Sequence, residues 1–456
     1  MTQTIKHKLN DSAAARWSAL ILVALMMFFA YMFVDMLSPI KTTVEEILHW
    51  DSDTFGTYAA SEYFLNVFVF FLIFAGIILD KMGIRFTGIL SASLMVGGAV
   101  IKFIAVTDWF QATALCSWLN SWWVDFPGSA KLASFGFMIF GCGCEMAGTT
   151  VSKAIAKWFK GKEMALAMGL EMAIARLGVF AVMWTAPAIS DAFGDVITAP
   201  VAFYTALLII GLLSYTVFTF MDRELDSQLI AAGEMSEEKS SDEEFQIRDL
   251  GKIFTSKMFW LVALLCVLYY SAIFPFQRFA PDFMMDTLGI TEAAAGKIVS
   301  VFPVLAMVLT PFLGALLDYK GKGATMLICG AMIMIACHLS FAFLLPAVPN
   351  QALAVALITI LGVSFALVPA ALWPSVPKII DEKILGSAYC VIFWIQNIGL
   401  LLMPIIIGKL NVSTGGYTIP MIVFASCGIA ALVFGFWLKI EDKRKGYGLE
   451  LPNVKK

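Results

Sequence analysis

The sequence predicts an all-α membrane protein with twelve transmembrane helices arranged as two pseudo-symmetric six-helix bundles. Three observations lead there. Of 456 residues, 60% are hydrophobic and only 14% charged, with 38 Phe, a balance outside the range of soluble domains. Apolar runs near 20 residues, the length needed to cross a bilayer, recur from end to end. Finally, motifs in the first half return in the second.

The predicted spans cover 17–38, 54–79, 86–106, 131–157, 163–187, 199–220, 258–275, 293–317, 323–345, 350–376, 384–408 and 417–439. The first run is too long for a signal-peptide core and lacks a small-residue cleavage pattern, so it reads as a retained helix. Lys and Arg set the orientation. With both termini cytoplasmic, six of the 31 basic residues lie on outward segments: Lys41, Lys102, Lys131, Arg278, Lys297 and Lys409. Arg176 lies deep in the membrane, and the remainder face inward, which is the positive-inside pattern. The net charge of -3 does not oppose it, because acidic residues contribute little to that rule. The organisation expected is an N-terminal half (1–220), a cytoplasmic linker (221–257), a C-terminal half (258–440) and a cytoplasmic tail (441–456). Within the linker SEEKSSDEEF reads as solvated and acidic, and FQIRDLGKIF as a short interfacial helix.

The eight cysteines are scattered through the spans and read as small apolar fillers. Cys142 and Cys144 point about 200° apart on a helix and have no His nearby, so no metal is expected. No Gly-rich phosphate loop, zinc spacing or nucleophile elbow is present, and neither a cofactor nor enzymatic activity is expected. The expected partners are a small-molecule solute and the lipid bilayer, with no nucleic acid, and the chain is expected to work as a monomer.

GIILDKMG (76–83) and GALLDYKG (314–321) share the pattern G-x-x-x-D-x-x-G at the cytoplasmic ends of spans two and eight. Gly76, Asp80, Gly83 and Arg85 in the first copy, and Gly314, Asp318 and Gly321 in the second, suit a tight turn whose Asp meets a helix end or a cation. At an offset of 221 residues Gly141 aligns with Gly362 and Gly178 with Gly399, so the hairpin of spans four and five matches that of spans ten and eleven. Two such loops at equivalent places in twelve helices resemble the major facilitator superfamily, whose paired repeats imply alternating access around a central site.

FGCGCEMAG (140–148) sets Glu145 inside an apolar run. Glu145 lies 13 residues before the inner end of span four at Trp158, and Arg176 lies 13 residues after the inner end of span five at Glu163. Both are therefore about 20 Å from the cytoplasmic surface. An intramembrane charge costs at least about 2.5 to 3.5 kcal/mol, so two at one level call for a role. One reading is a structural ion pair stapling the helices. The other is that both face the cavity, Glu145 taking the ammonium and Arg176 the carboxylate of a zwitterion. The repeat has Ala366 and Asn397 at these positions, so the charges are not a symmetric scaffold requirement.

Tyr269 and Tyr270 lie near the same level and read either as substrate contacts or as helix filler. Tyr389, Phe393 and Gln396 share one face of span eleven beside Asn397, suiting helix packing or substrate contact. Trp373, before Pro374 and Pro377, suits a gate at the inner end of its helix; Pro275 and Arg278 do the same at the outer end of span seven. Glu62 and Glu171 are candidates for proton coupling; Asp35 is a further acid, and His338 reads as a hydrogen-bonded packing residue.

SKAIAKWFKGKEMALAMGLEMAIARLG, CVLYYSAIFPF and ALWPSVPKIIDEKILGSAYCVIFWIQNIGLLLMPIIIGKL resemble the branch of that superfamily containing the lysosomal dipeptide uniporters of animals. The resemblance spans nearly all twelve helices. It implies that Glu145 and Arg176 hold the amino and carboxyl ends of a dipeptide, assisted by Trp373, Tyr269 and Tyr270. The N-terminal tail lacks an acidic dileucine sorting signal, and WFQATALCSWLNSWWVDF is a Trp-rich insert foreign to the branch, so the expected location is a bacterial cytoplasmic membrane. The expected function is secondary transport of dipeptides or similar small zwitterions by uniport or proton symport. The alternative is a nitrate or small organic-anion porter, for which Arg176 would suffice.

Overall fold

The computed structural model describes residues 8–160, 162–194, 196–231, 250–380 and 385–452. These residues are almost wholly helical, and eleven of their helices are long and apolar enough to cross a membrane. The expected twelfth is absent from that count because span two is not one helix. It descends as Ser52–Ser61, Phe64–Phe68 and the start of Phe71–Ala105, with a break at Phe70, whose φ of 56° is strained for a non-glycine residue. Phe71–Ala105 then turns at Gly83 (φ 76°, ψ 172°) into span three. Gly83 is needed there because only glycine adopts that conformation without cost. The expectation of a continuous helix over 54–79 is thus corrected; the crossing persists, built from pieces.

The other spans are regular. Span one is Ala13–Asp35, started by Ser12, which accepts the Ala15 N–H. Spans four, five and six are Gly128–Trp158, Met164–Ala192 and Thr198–Ala231. The second half holds Lys257–Leu288, Glu292–Lys320, Gly323–Leu339 with its continuation to Ala347, Gln351–Ile379, Leu385–Thr414 and Thr418–Lys445.

Two boundaries differ from expectation. The sixth span runs past residue 220 to Ala231, because Asp222 and Asp226 bind the inner ends of neighbouring helices: Lys157 reaches them at 2.7 and 2.5 Å, and Arg85 reaches Asp226 at 3.1 Å. The acidic run 236–245 lies outside the described residues; of the expected interfacial helix only Leu250–Thr255 is described, and it is helical. The C-terminal segment docks rather than projecting. Glu450 accepts from Thr325 N and Oγ1 at 2.8 Å each, and Lys322 N and Gly323 N donate to the carbonyls of Glu450 and Leu449 at 3.0 Å. The second loop motif therefore sits under that segment, with Gly321 at φ 70°. In the first motif Lys153 holds Asp80 at 2.5 Å.

The two halves pack by the same rule. A side chain at Gly141 would strike the backbone of Glu62 on span two, and one at Gly362 would crowd Leu305 and Phe302 on span eight. Gly178 admits the backbone of Phe28 on span one, and Gly399 admits Ser271 on span seven. Each pair of repeat-equivalent glycines thus serves equivalent helix crossings.

Between the halves, close contacts gather at the outer end. Gly56 and Gly408 let spans two and eleven touch backbone to backbone. Trp184 Nε1 donates to Ser300 Oγ at 2.9 Å between spans five and eight, Lys41 bridges to Asp282 at 2.8 Å, and Thr43 N and Oγ1 donate to Glu292 at 3.0 Å each. The outer side is closed.

Candidate functional site

Glu145 and Arg176 are both half-buried, on adjacent spans, and among the described residues neither takes part in an ion pair. The staple expected under one reading is therefore not formed. Each instead meets the opposite half. The Arg176 guanidinium lies 5.2 Å over the ring of Phe365 on span ten. The Glu145 carboxylate faces the side-chain amide of Asn397 on span eleven, whose nitrogen has no hydrogen-bond partner of normal geometry. Asn397 is the repeat counterpart of Arg176, and Phe365 adjoins Ala366, the counterpart of Glu145, so the pseudo-twofold relation brings matching positions together across the interface.

The opposing wall is aromatic. Phe365 packs edge-on against Tyr270 and Phe274, with centroids 5.9 and 5.6 Å apart, and lies 5.5 Å from Phe302. Trp373 Nε1 donates to Tyr270 Oη at 3.2 Å, Trp373 packs on Phe393 at 5.0 Å, and Tyr389 Oη donates to the Trp373 carbonyl at 3.3 Å. Tyr270, Trp373, Tyr389 and Phe393 therefore form one cluster continuous with the ring that carries Arg176.

Other candidates lie elsewhere. Tyr269 is fully buried and its hydroxyl donates to the Leu327 carbonyl, so it is turned into the second half as packing, in line with the filler reading. The Gln396 carbonyl accepts from Cys266 Sγ at 3.3 Å, tying spans eleven and seven. His338 is buried among Phe276, Phe341 and Phe424, and neither ring nitrogen has a hydrogen bond, so the expected packing role stands without the expected bond. Glu171 is buried on span five. Gly76 and Gly314 have open space about their Cα atoms. No group of three or more metal-ligating side chains occurs among the described residues.

Glu62 is far from solitary. It receives the Arg278 guanidinium, and Arg278 also lies 3.5 Å from Asp35 and donates to the Ala59 carbonyl at 2.7 Å. Gln277 Nε2 donates to Asp35 at 2.8 Å. Fully buried Lys102 stands nearby, its ammonium over Phe33, Phe137 and Tyr58 at 4.5, 4.8 and 5.0 Å.

Sequence reasoning missed Tyr31, Phe365 and Lys102. Half-buried Tyr31 on span one is within electrostatic reach of Glu145, Glu171 and Arg176. Its signal was a lone Tyr four residues before Asp35 in an apolar run. Lys102 carried one too, a cation inside a predicted span. Phe365 carried none, being one Phe among 38.

The Major Facilitator Superfamily profile matches residues 23–399 and, in a second overlapping match, 277–453. The chain is 28% identical to the human "Lysosomal dipeptide transporter MFSD1" over 447 residues, 96% of this chain and 88% of that protein. It is 26% identical over 326 residues to the "Probable sulfoacetate transporter SauU" of Cupriavidus necator, covering 67% of this chain and 72% of that one. Among solved structures it resembles a point mutant of the nucleoside transporter NupG, with a TM-score of 0.69, 14% identity, and coverage of 92% of this chain and 99% of that chain. These relatives are transporters, not enzymes, and the last supports the fold alone.

Proposed function

Because the chain belongs to the Major Facilitator Superfamily, and is thus a multi-pass integral membrane transporter of small solutes, we propose that it carries dipeptides or similar small zwitterions by alternating access. Glu145 receives the ammonium end and Arg176 the carboxylate, while Tyr270, Trp373 and Asn397 supply the facing wall. The site residues Gln396 and Tyr269 support that wall from behind. The loop motifs, with Asp80 and Arg85 in one half and Asp318 and Gly321 in the other, steady the cytoplasmic ends as the halves rock. The chain works as a monomer in a bacterial cytoplasmic membrane, with both termini inside.

The observation that carries this reading is that two opposite charges on neighbouring helices are not paired with each other, and that each addresses the opposite half. A buried charge without an ionic partner is costly, and a guest bearing both signs relieves both costs at once. The similarity to lysosomal dipeptide transporters points the same way.

A small organic anion is the second reading, favoured by the likeness to the sulfoacetate transporter. Flux into proteoliposomes with Glu145→Gln separates the two. A charge-assisted hydrogen bond is worth about 1.5 to 3 kcal/mol, so dipeptide uptake should fall about ten- to hundredfold. An anion porter would keep its activity or gain some, and that result overturns the zwitterion assignment.

A further inference from the structure

Asp35 and Glu62 on the first half share one guanidinium, Arg278, that belongs to the second. All three are at least nine-tenths buried at the closed outer end. Opening that end must pull Arg278 and Gln277 away with their half. What remains is two carboxylates and one ammonium, that of Lys102. Its nitrogen has no hydrogen-bond partner and rests on the rings of Phe33, Tyr58 and Phe137, all from the first half, so it stays when Arg278 leaves. The formal balance is then one positive charge short, in a setting where an uncompensated charge is expensive.

We propose that Glu62 is a proton-binding site and that a proton takes the place of Arg278 there whenever the outer side opens. Hydronium from the outer side gives its proton to the Glu62 carboxylate, leaving water and a neutral carboxylic acid; the Lys102 ammonium then balances the one carboxylate left, Asp35. When the halves close outside, Arg278 returns and the proton leaves. Its way out is inward, toward Glu145. Glu62 packs on Gly141, one helical turn outward of Glu145, and the two acids are within electrostatic reach of each other. One proton therefore moves inward with each cycle, and transport is proton symport. The groups that face Glu62 are Arg278 from span seven, Tyr58 and Tyr63 from span two, Asp35 from span one, Lys102 from span three, and Cys144 and Glu145 from span four; Gln277 reaches Asp35 beside it. This inference rests on alternating access and not on the identity of the solute, so its pH response is read without solute and a dipeptide enters only as a separate arm.

Ser117 and Ser413 are exposed at the outer ends of the two halves. Spin labels placed there in a cysteine-free background, in lipid nanodiscs, report outer opening as a longer distance. Acidification from about pH 8 to about pH 4, which spans the ordinary carboxyl range, should raise the open fraction of the wild type. Glu62→Gln should be open at both and lose the response, while Asp35→Asn, which leaves Lys102 to balance Glu62, should move the midpoint downward. Lys102→Met, which removes a nearby cation, should move the midpoint upward by about one unit or more, and gives a second reading should Glu62→Gln not fold. The proposal is overturned if the wild-type distances ignore pH, if Glu62→Gln still responds, or if Lys102→Met leaves the midpoint unmoved. Opening by dialanine alone, equal at both pH values, also overturns it, because the substrate ammonium would then replace Arg278.

Discussion

The two halves share a scaffold and differ in chemistry. Gly141 and Gly178 let helices cross in the first half, as Gly362 and Gly399 do in the second. Yet the charged groups buried or half-buried within the spans belong mostly to the first: Asp35, Glu62, Lys102, Glu145, Glu171 and Arg176. The second offers rings and neutral polar groups, Phe365, Tyr270, Trp373, Gln396 and Asn397, and sends one cation, Arg278, across to the acids of its partner. Repetition fixed the packing, which any apolar interior needs. The charges could then diverge, because each is expensive and is kept only where something answers it.

The sharpest way to break this comparison is to blunt one of the unpaired charges. Arg176→Lys keeps the sign but loses the planar fork that grips a carboxylate with two parallel bonds, so uptake should fall about a hundredfold in proteoliposomes. Near-wild-type flux would mean that Arg176 acts only as a point charge.

A second test sets the scaffolds against each other through the equivalent glycines. Gly178→Ala drives a methyl into the Phe28 carbonyl, fixed backbone, and should destabilise by about 2 to 3 kcal/mol. Gly399→Ala meets the side chains of Ser271 and Val267, which can turn aside, and should cost less than about 1 kcal/mol. Melting temperatures in detergent rank the two, and equal losses would contradict the contrast between rigid and yielding neighbours.

Adjacent tyrosines offer a finer cut. Tyr270→Phe removes the acceptor of the Trp373 N–H and should raise the KM for dipeptide several-fold with little change in stability. Tyr269→Phe removes a buried bond to Leu327 and should lower stability by about 1 kcal/mol while sparing transport.

The smallest effect lies outside the membrane. The hydrogen bond from Lys162 holds Asp11 down at about 2, below its usual 3.8, and Arg16 pairs with Glu163 at 3.1 Å beside it. A depressed acid stabilises the folded form above its unfolded value, and that contribution is lost as the pH falls from 3.8 toward 2. The protection of the amides of residues 8–16, taken as exchange relative to the intrinsic rate at each pH, should therefore hold at neutral pH and fall only in that acid window, and Lys162→Met should lower it at neutral pH.

Much of the fold was legible because bilayer physics writes itself into composition. Length, apolarity and the sidedness of Lys and Arg gave the spans, and spacing gave the repeat. Span two escaped because its break is decided by backbone conformation at Phe70, which no turn pattern marks, whereas the turn at Gly83 was legible from its loop motif. The site was legible where it is ionic: Glu145 and Arg176 stand out in an apolar run. Phe365 and Tyr31 do not, because an aromatic residue in a membrane helix is ordinary until its neighbour is known. Tyr269 and Tyr270 look alike in the chain, yet one is spent on a carbonyl and the other joins the aromatic cluster of Phe365 and Trp373, since neighbouring residues on a helix point about 100° apart.

What the sequence determined alone was which stretches leave water and which charges must go with them, since transfer free energy is a property of each segment by itself. Only the tertiary structure decided who answers those charges. It left Glu145 and Arg176 unpaired with each other and carried Arg278 across to Asp35 and Glu62. A partner more than two hundred residues away along the chain is a matter of geometry, to which no local pattern is sensitive.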